Sequence, residues 1–64
     1  MSKQVESFYE MKIGQTVYPT IGGYKGQPVV IEEIEIESGA RNGWFTVRMP
    51  DGATGLYAGE ELIK

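Results

Sequence analysis

Pro-Val-Val-Ile-Glu-Glu-Ile-Glu-Ile-Glu, residues 28–37, is the longest β-patterned run in the chain. Side chains along a strand alternate between faces, so Val29 and Ile31 share one face while Ile34 and Ile36 share the other. A regular strand cannot bury both pairs in one core. A bulge or a sharp coil near Glu32–Glu33 reconciles them; a bulge does so because one extra residue on one side of the ladder inverts the parity beyond it. Long strands bent in this way serve both sheets of a small barrel. The same run sets Glu33, Glu35 and Glu37 along a solvated face, where carboxylates also discourage edge-to-edge pairing.

The flanking sequence is cut into short pieces by nine glycines and three prolines. Upstream, Gln15 to Tyr18 reads as a short strand, and Pro19 to Gln27 as a loop holding Gly22, Gly23 and Gly26. Downstream, Ser38 to Gly43 reads as a loop closed by the turn pair Asn42–Gly43, and Trp44 to Met49 as a strand. Asp51–Gly52 is a strong hairpin signal. A two-residue turn there pairs Met49 with Thr54, Val47 with Leu56 and Thr46 with Tyr57. It sets Val47 and Leu56 inward and Trp44, Thr46, Arg48 and Tyr57 outward. Ala58 to Glu61 reads as a helical turn, and Leu62–Ile63 as a last short strand or anchor. Residues 1–12 read differently. Val5, Phe8 and Tyr9 stand at i, i+3 and i+4, one face of a short helix that Ser2 would cap.

These elements predict an all-β protein: a small five-stranded barrel over residues 13–64, with residues 1–12 as a short N-terminal extension, helical or irregular. The stretch from Gly14 to Ile34 resembles the KOW motif of transcription elongation factors and large-subunit ribosomal proteins. Gly14, Val17, Gly22, Lys25, Gly26, Ile31 and Ile34 fall at the matching spacing without a gap. The Trp44–Met49 strand, the Asp51–Gly52 turn and the Glu61–Leu62 ending look like the closing strands of such barrels. Val29 departs from the motif, which has a glycine there, as do Pro19 in place of a strand valine and Gln15 in place of an acidic residue. The resemblance covers about fifty residues and implies an SH3-like barrel that binds RNA or protein.

Composition narrows the chemistry. A chain of 64 residues forms one domain and buries only about 60% of its unfolded surface, so its stability margin is thin. It contains neither Cys nor His. Disulfides, thiolate zinc sites and imidazole bases are therefore excluded, and homodimerisation is the staple left open. Ser2, Ser7 and Ser38 have no evident activating base. The Gly22–Gly26 loop carries Lys25 but precedes no helix, so it is no phosphate-cradling loop. No acidic loop has calcium-binding spacing. The sequence thus points to no catalytic residue, no metal and no cofactor. The expectation is a non-enzymatic cytoplasmic protein: no basic-then-apolar leader opens the chain, and no run is long enough to span a membrane.

The remaining signal is aromatic. On the hairpin register above, Tyr57 lies diagonal to Trp44 and Arg48, with Tyr24, Lys25 and Arg41 in flanking loops; Trp44 either stands open there or packs under the N-terminal segment against Phe8 and Tyr9. Trp, Tyr and Arg dominate binding hot spots. The reading is a protein-binding module, an adaptor or inhibitor of a length that suits a phage or mobile-element protein, with Tyr24, Lys25, Arg41, Trp44, Arg48 and Tyr57 as its partner-binding residues. A net charge of −3 disfavours bulk phosphate binding. The alternative is KOW-like RNA or single-stranded nucleic-acid binding by stacking on the same residues. A third reading is an acidic DNA mimic acting through Glu32, Glu33, Glu35 and Glu37.

Overall fold

The computed structural model describes residues 2–37 and 43–64. Its described residues form eight strands and one 3-10 turn: β1 (Ser2–Gln4), β2 (Ser7–Phe8), β3 (Met11–Lys12), β4 (Thr16–Pro19), β5 (Val29–Glu37), β6 (Gly43–Arg48), β7 (Thr54–Ala58), the turn Gly59–Glu61, and β8 (Leu62–Ile63). The protein is all-β. The main sheet runs β7-β6-β5-β4-β8 with every pairing antiparallel, and β1 also pairs with β5. β2 and β3 form a separate hairpin. Among the described residues no helix is long and apolar enough to cross a membrane.

The bulge in β5 lies where the parity conflict puts it. Ile31 pairs with Val47 but Glu33 pairs with Thr46, so Glu32 is the extra residue. Val29 and Ile31 before it and Ile34 after it are all buried. They meet Val17, Phe45, Val47, Met49, Tyr57, Leu62 and Met11 in one core. The bulge also divides the other edge of β5 between two partners. β4 pairs with Val29 and Val30, and β1 with Glu35 to Glu37. At the junction the Val5 N–H donates to the Ile34 carbonyl at 3.0 Å, and the Gly14 N–H to the Ile31 carbonyl at 2.8 Å. Residues 6–13 leave the sheet between these two bonds as the β2–β3 hairpin, whose base is closed by the Ile13 N–H on the Glu6 carbonyl at 3.1 Å.

Among the described residues no N-terminal helix forms; residues 2–12 carry strands β1, β2 and β3 instead. The spacing of Val5, Phe8 and Tyr9 reflects a two-residue turn. Phe8 pairs with Met11, while Tyr9 and Glu10 have φ of 57° and 60°. Both lie in the left-handed region, the conformation of a hairpin turn that favours Asn-Gly. The turn is held by packing. Met11 is buried, Phe8 lies tilted on Phe45 at a centroid distance of 6.2 Å, and Tyr9 meets Phe8 edge-on at 5.2 Å. The Tyr9 ring rests on the bare backbone of Gly59, where a Cβ would come within 2.7 Å of it.

Gly43 is a strand residue, not half of a turn pair, and Asn42 lies outside the described residues. It opens β6 opposite Ile36, with no room for a side chain: a Cβ would stand 2.8 Å from Ile36 Cγ2 and 3.0 Å from Phe8 Cδ2. The β6–β7 hairpin also differs from the expected register. Met49 N–H donates to the Ala53 carbonyl and Gly52 N–H to the Met49 carbonyl, with Gly52 at φ 93°. This is a three-residue loop, Pro50-Asp51-Gly52, with glycine in the left-handed position. Every pair in β6–β7 shifts by one residue: Val47 faces Gly55, Thr46 faces Leu56, and Phe45 faces Tyr57.

The strained turn yields a signed expectation. Glu10→Gly removes a side chain at positive φ, worth about 1 kcal/mol. It also removes the Lys64–Glu10 ion pair, whose two exposed side chains make it worth only a few tenths. Net stabilisation by about 0.5–1 kcal/mol is expected in urea unfolding. Gly59→Ala, which displaces the Tyr9 ring, should destabilise by at least about 1 kcal/mol.

Candidate binding face

β5, β6 and β7 present one face to the core and the other to solvent. Residue identity on the outer face follows from the observed register. One row crosses the strands as Glu35, Trp44 and Ala58, the next as Glu33, Thr46 and Leu56, and the third as Val30, Arg48 and Thr54. Trp44 is 51% exposed and Leu56 is 61% exposed. They are diagonal neighbours across β6–β7, roughly 7–8 Å apart by sheet geometry. Leu56 is the residue that sequence reasoning placed inside; the one-residue shift turns it outward.

The same shift turns Tyr57 inward. It is 9% exposed and packs in the core opposite Phe45, so it is not part of an outer aromatic face. Trp44 and Arg48 do share the outer face of β6, about 13 Å apart along the strand. Arg48 is already engaged. Its Nη2 and Nε reach the two carboxylate oxygens of Glu32 at 3.1 and 3.3 Å, and its Nη1 donates to the Gly52 carbonyl at 2.7 Å. The bulge aims Glu32 at this guanidinium, which then braces the hairpin turn. Both partners are well exposed, so the pair positions more than it stabilises.

Tyr24 and Lys25 sit far from Trp44, at the hairpin-turn end of the sheet. The loop that carries them is folded by its own backbone bonds: Lys25 N–H to the Gly22 carbonyl at 3.2 Å, Gly26 N–H to the Pro19 carbonyl at 2.9 Å, and Gln27 N–H to the Tyr24 carbonyl at 2.9 Å. Gly22 and Gly26 take the positive φ these turns need. Lys25 is exposed. Tyr24 packs partly against the core, and its hydroxyl donates to Asp51 Oδ2 at 2.6 Å. Arg41 lies outside the described residues. Of the six residues singled out from sequence, the five described do not form one patch.

Carboxylates border the exposed pair. Glu35 is directly opposite Trp44 and Glu33 opposite Thr46; Gln4 Nε2 donates to Glu33 Oε2 at 3.0 Å. Glu32, Glu33 and Glu35 thus edge an apolar centre made by Trp44, Leu56 and Ala58. No family model, no curated protein and no solved structure matches the chain.

The Tyr24–Asp51 bond shifts both groups. The Tyr24 hydroxyl on Asp51 holds that carboxyl below its ordinary value of 3.8, aided by the Ala53 N–H. Accepting that bond, Asp51 raises the Tyr24 hydroxyl above 10.0, with slight burial adding to the rise. A carboxyl lowered by folding contributes stability that is present above 3.8 and fades as pH falls through the lowered value. Tyr24→Phe is expected to move the Asp51 titration upward, read by NMR of its carboxyl carbon. An unchanged titration would mean the bond does not persist in solution.

Proposed function

We propose that the chain is a small SH3-like barrel acting as a non-catalytic module that binds a protein partner through the outer face of β5–β7. The observation that carries this reading is the pairing of Trp44 and Leu56, both more than half exposed, at the centre of that face. Exposed neighbouring apolar side chains rimmed by polar groups mark interaction surfaces, and tryptophan is the commonest energetic anchor in them. The acidic rim supports a protein partner over a nucleic acid, since among the described residues Glu32, Glu33 and Glu35 outnumber the one cation there, Arg48, which Glu32 already engages. The bent β5, shared between β4 and β1 on one edge and β6 on the other, supports the barrel reading. So do the positive-φ backbones of Gly14, Gly22 and Gly26, three of the motif glycines.

The test is a tagged capture from host lysate, split into nuclease-treated and untreated halves, with Trp44→Ala alongside. One protein recovered equally from both halves, and weakened at least about tenfold by Trp44→Ala, is the expected result. Trp44 is exposed, so the substitution should leave the melting temperature nearly unchanged. Capture that vanishes with nuclease would instead assign the face to RNA or single-stranded nucleic acid.

A further inference from the structure

β7 ends the sheet path. Because Met49 N–H bonds to the Ala53 carbonyl, the alternation of an antiparallel ladder directs the backbone groups of Gly55 and Tyr57 to β6 and those of Thr54 and Leu56 away from it. The Ala58 N–H is occupied by Glu61 Oε1 at 2.8 Å. Among the described residues, no backbone bond reaches Thr54 or Leu56 from outside the sheet. Edge strands are normally guarded by lysine, proline, a bulge or a covering loop. β7 reads Thr-Gly-Leu-Tyr-Ala, with neither charge nor proline of its own, and only its Ala58 end is covered, by the Glu61 carboxylate.

We propose that this edge receives an extended, basic segment of a partner protein, which adds as a strand beside β7. The proposal rests on the protein-binding reading above and specifies its partner. The geometry fixes where the basic side chains go. A strand added beside β7 has outward side chains next to Leu56 and Ala58. Ala58 is small and stands directly between that strand and Trp44. A lysine or arginine beside it lies over the alanine and reaches toward the Trp44 ring, whose row starts about 10 Å away, within the field of the Glu35 carboxylate on the far side of that ring. An apolar residue beside Leu56 extends the Trp44–Leu56 surface. The charge of this face selects the partner's sign: among the described residues, Glu32, Glu33 and Glu35 are offset there by one cation, Arg48, which is bound to Glu32. A second copy of the chain carries the same net charge of −3, and its own β7, Thr54–Ala58, has no cation to meet them. Backbone bonds supply affinity and alternate side chains supply specificity.

The probe is a synthetic seven-residue peptide of alternating valine and lysine, titrated into the isotope-labelled chain and followed by amide NMR. Saturable shifts are expected at Thr54, Leu56 and Ala58 and at the Trp44 indole. Replacing lysine by glutamate, or N-methylating alternate backbone nitrogens, should each weaken binding at least tenfold. Leu56→Pro removes the outward N–H without breaking a bond to β6, and should abolish the shifts; if that variant does not fold, Leu56→Lys should weaken binding at least fivefold. No saturable shift up to about 1 mM overturns the proposal. Equal binding of the glutamate peptide does so too. Concentration-dependent shifts of the same amides without peptide give the edge to a second copy and also overturn it. The two readings fail separately. If the peptide fails while Trp44→Ala still weakens the captured partner, only the edge assignment falls. If Trp44→Ala changes nothing, the binding face falls with it.

Discussion

One inserted residue, Glu32, organises the molecule. Without it β5 would present Val29 and Ile31 to one side and Ile34 to the other, and one set would lie in water. Each such side chain is worth about 1.5–3 kcal/mol when buried, which is decisive in a protein of this size. With the bulge, all three enter the core. The same residue interrupts the opposite edge of β5, so that β4 and β1 share it, and the chain between them leaves as the β2–β3 hairpin. The freed Glu32 carboxylate turns to Arg48, which holds the loop after β6. Core, N-terminal hairpin and outer-face charge are thus three consequences of one change in ladder count.

The hairpin that leaves at the bulge closes one end of the core, and two glycines receive it. Phe8 lies against Gly43 and Tyr9 against Gly59, with Phe45 between the two sites and touched by both assemblies. A side chain at either glycine would lift the aromatic pair off the core. The close seating explains how Tyr9 and Glu10 stay in left-handed geometry without glycine or asparagine. Two residues at positive φ cost about 1 kcal/mol each. Burial of Met11 and of much of Phe8 offsets that amount. The strain is local, and the compensation is tertiary.

That division decides what could be read from the chain alone. The β5 bulge was legible because it is a conflict of parity within one strand. The Pro50-Asp51-Gly52 loop was misjudged, although its signal was present. A two-residue turn at Asp51–Gly52 makes Pro50 a ladder residue, and proline has no N–H to give. With Pro50 inside the loop, its fixed φ suits the first turn position and Gly52 takes the left-handed one. The missing Pro50 N–H alone thus argues for the three-residue loop, which exchanges Leu56 with Tyr57 and puts a Trp–Leu pair, not a Trp–Tyr pair, on the surface. The β2–β3 hairpin had no such signal. Tyr-Glu is not a turn pair by propensity, and only contact with Gly59 and Phe45 selects it. Trp44 and the glutamates of β5 were legible as surface features because they follow from alternation alone.

Trp44 stays outside for a reason that bears on function. The core is filled by Phe45, Tyr57 and the Phe8–Tyr9 closure, and none of the described strands lies over the outer face of β5–β7. An apolar residue on that face adds nothing to folding. Placed beside an edge strand whose own residues are uncharged, it also invites indiscriminate pairing. The glutamates of β5 answer this without covering the surface. Set beside Trp44, Glu33 and Glu35 repel other acidic chains, this one included, and leave the apolar contact open to a cationic one. On the proposed reading, charge selects which partner approaches, and the Trp44–Leu56 pair sets how firmly it stays.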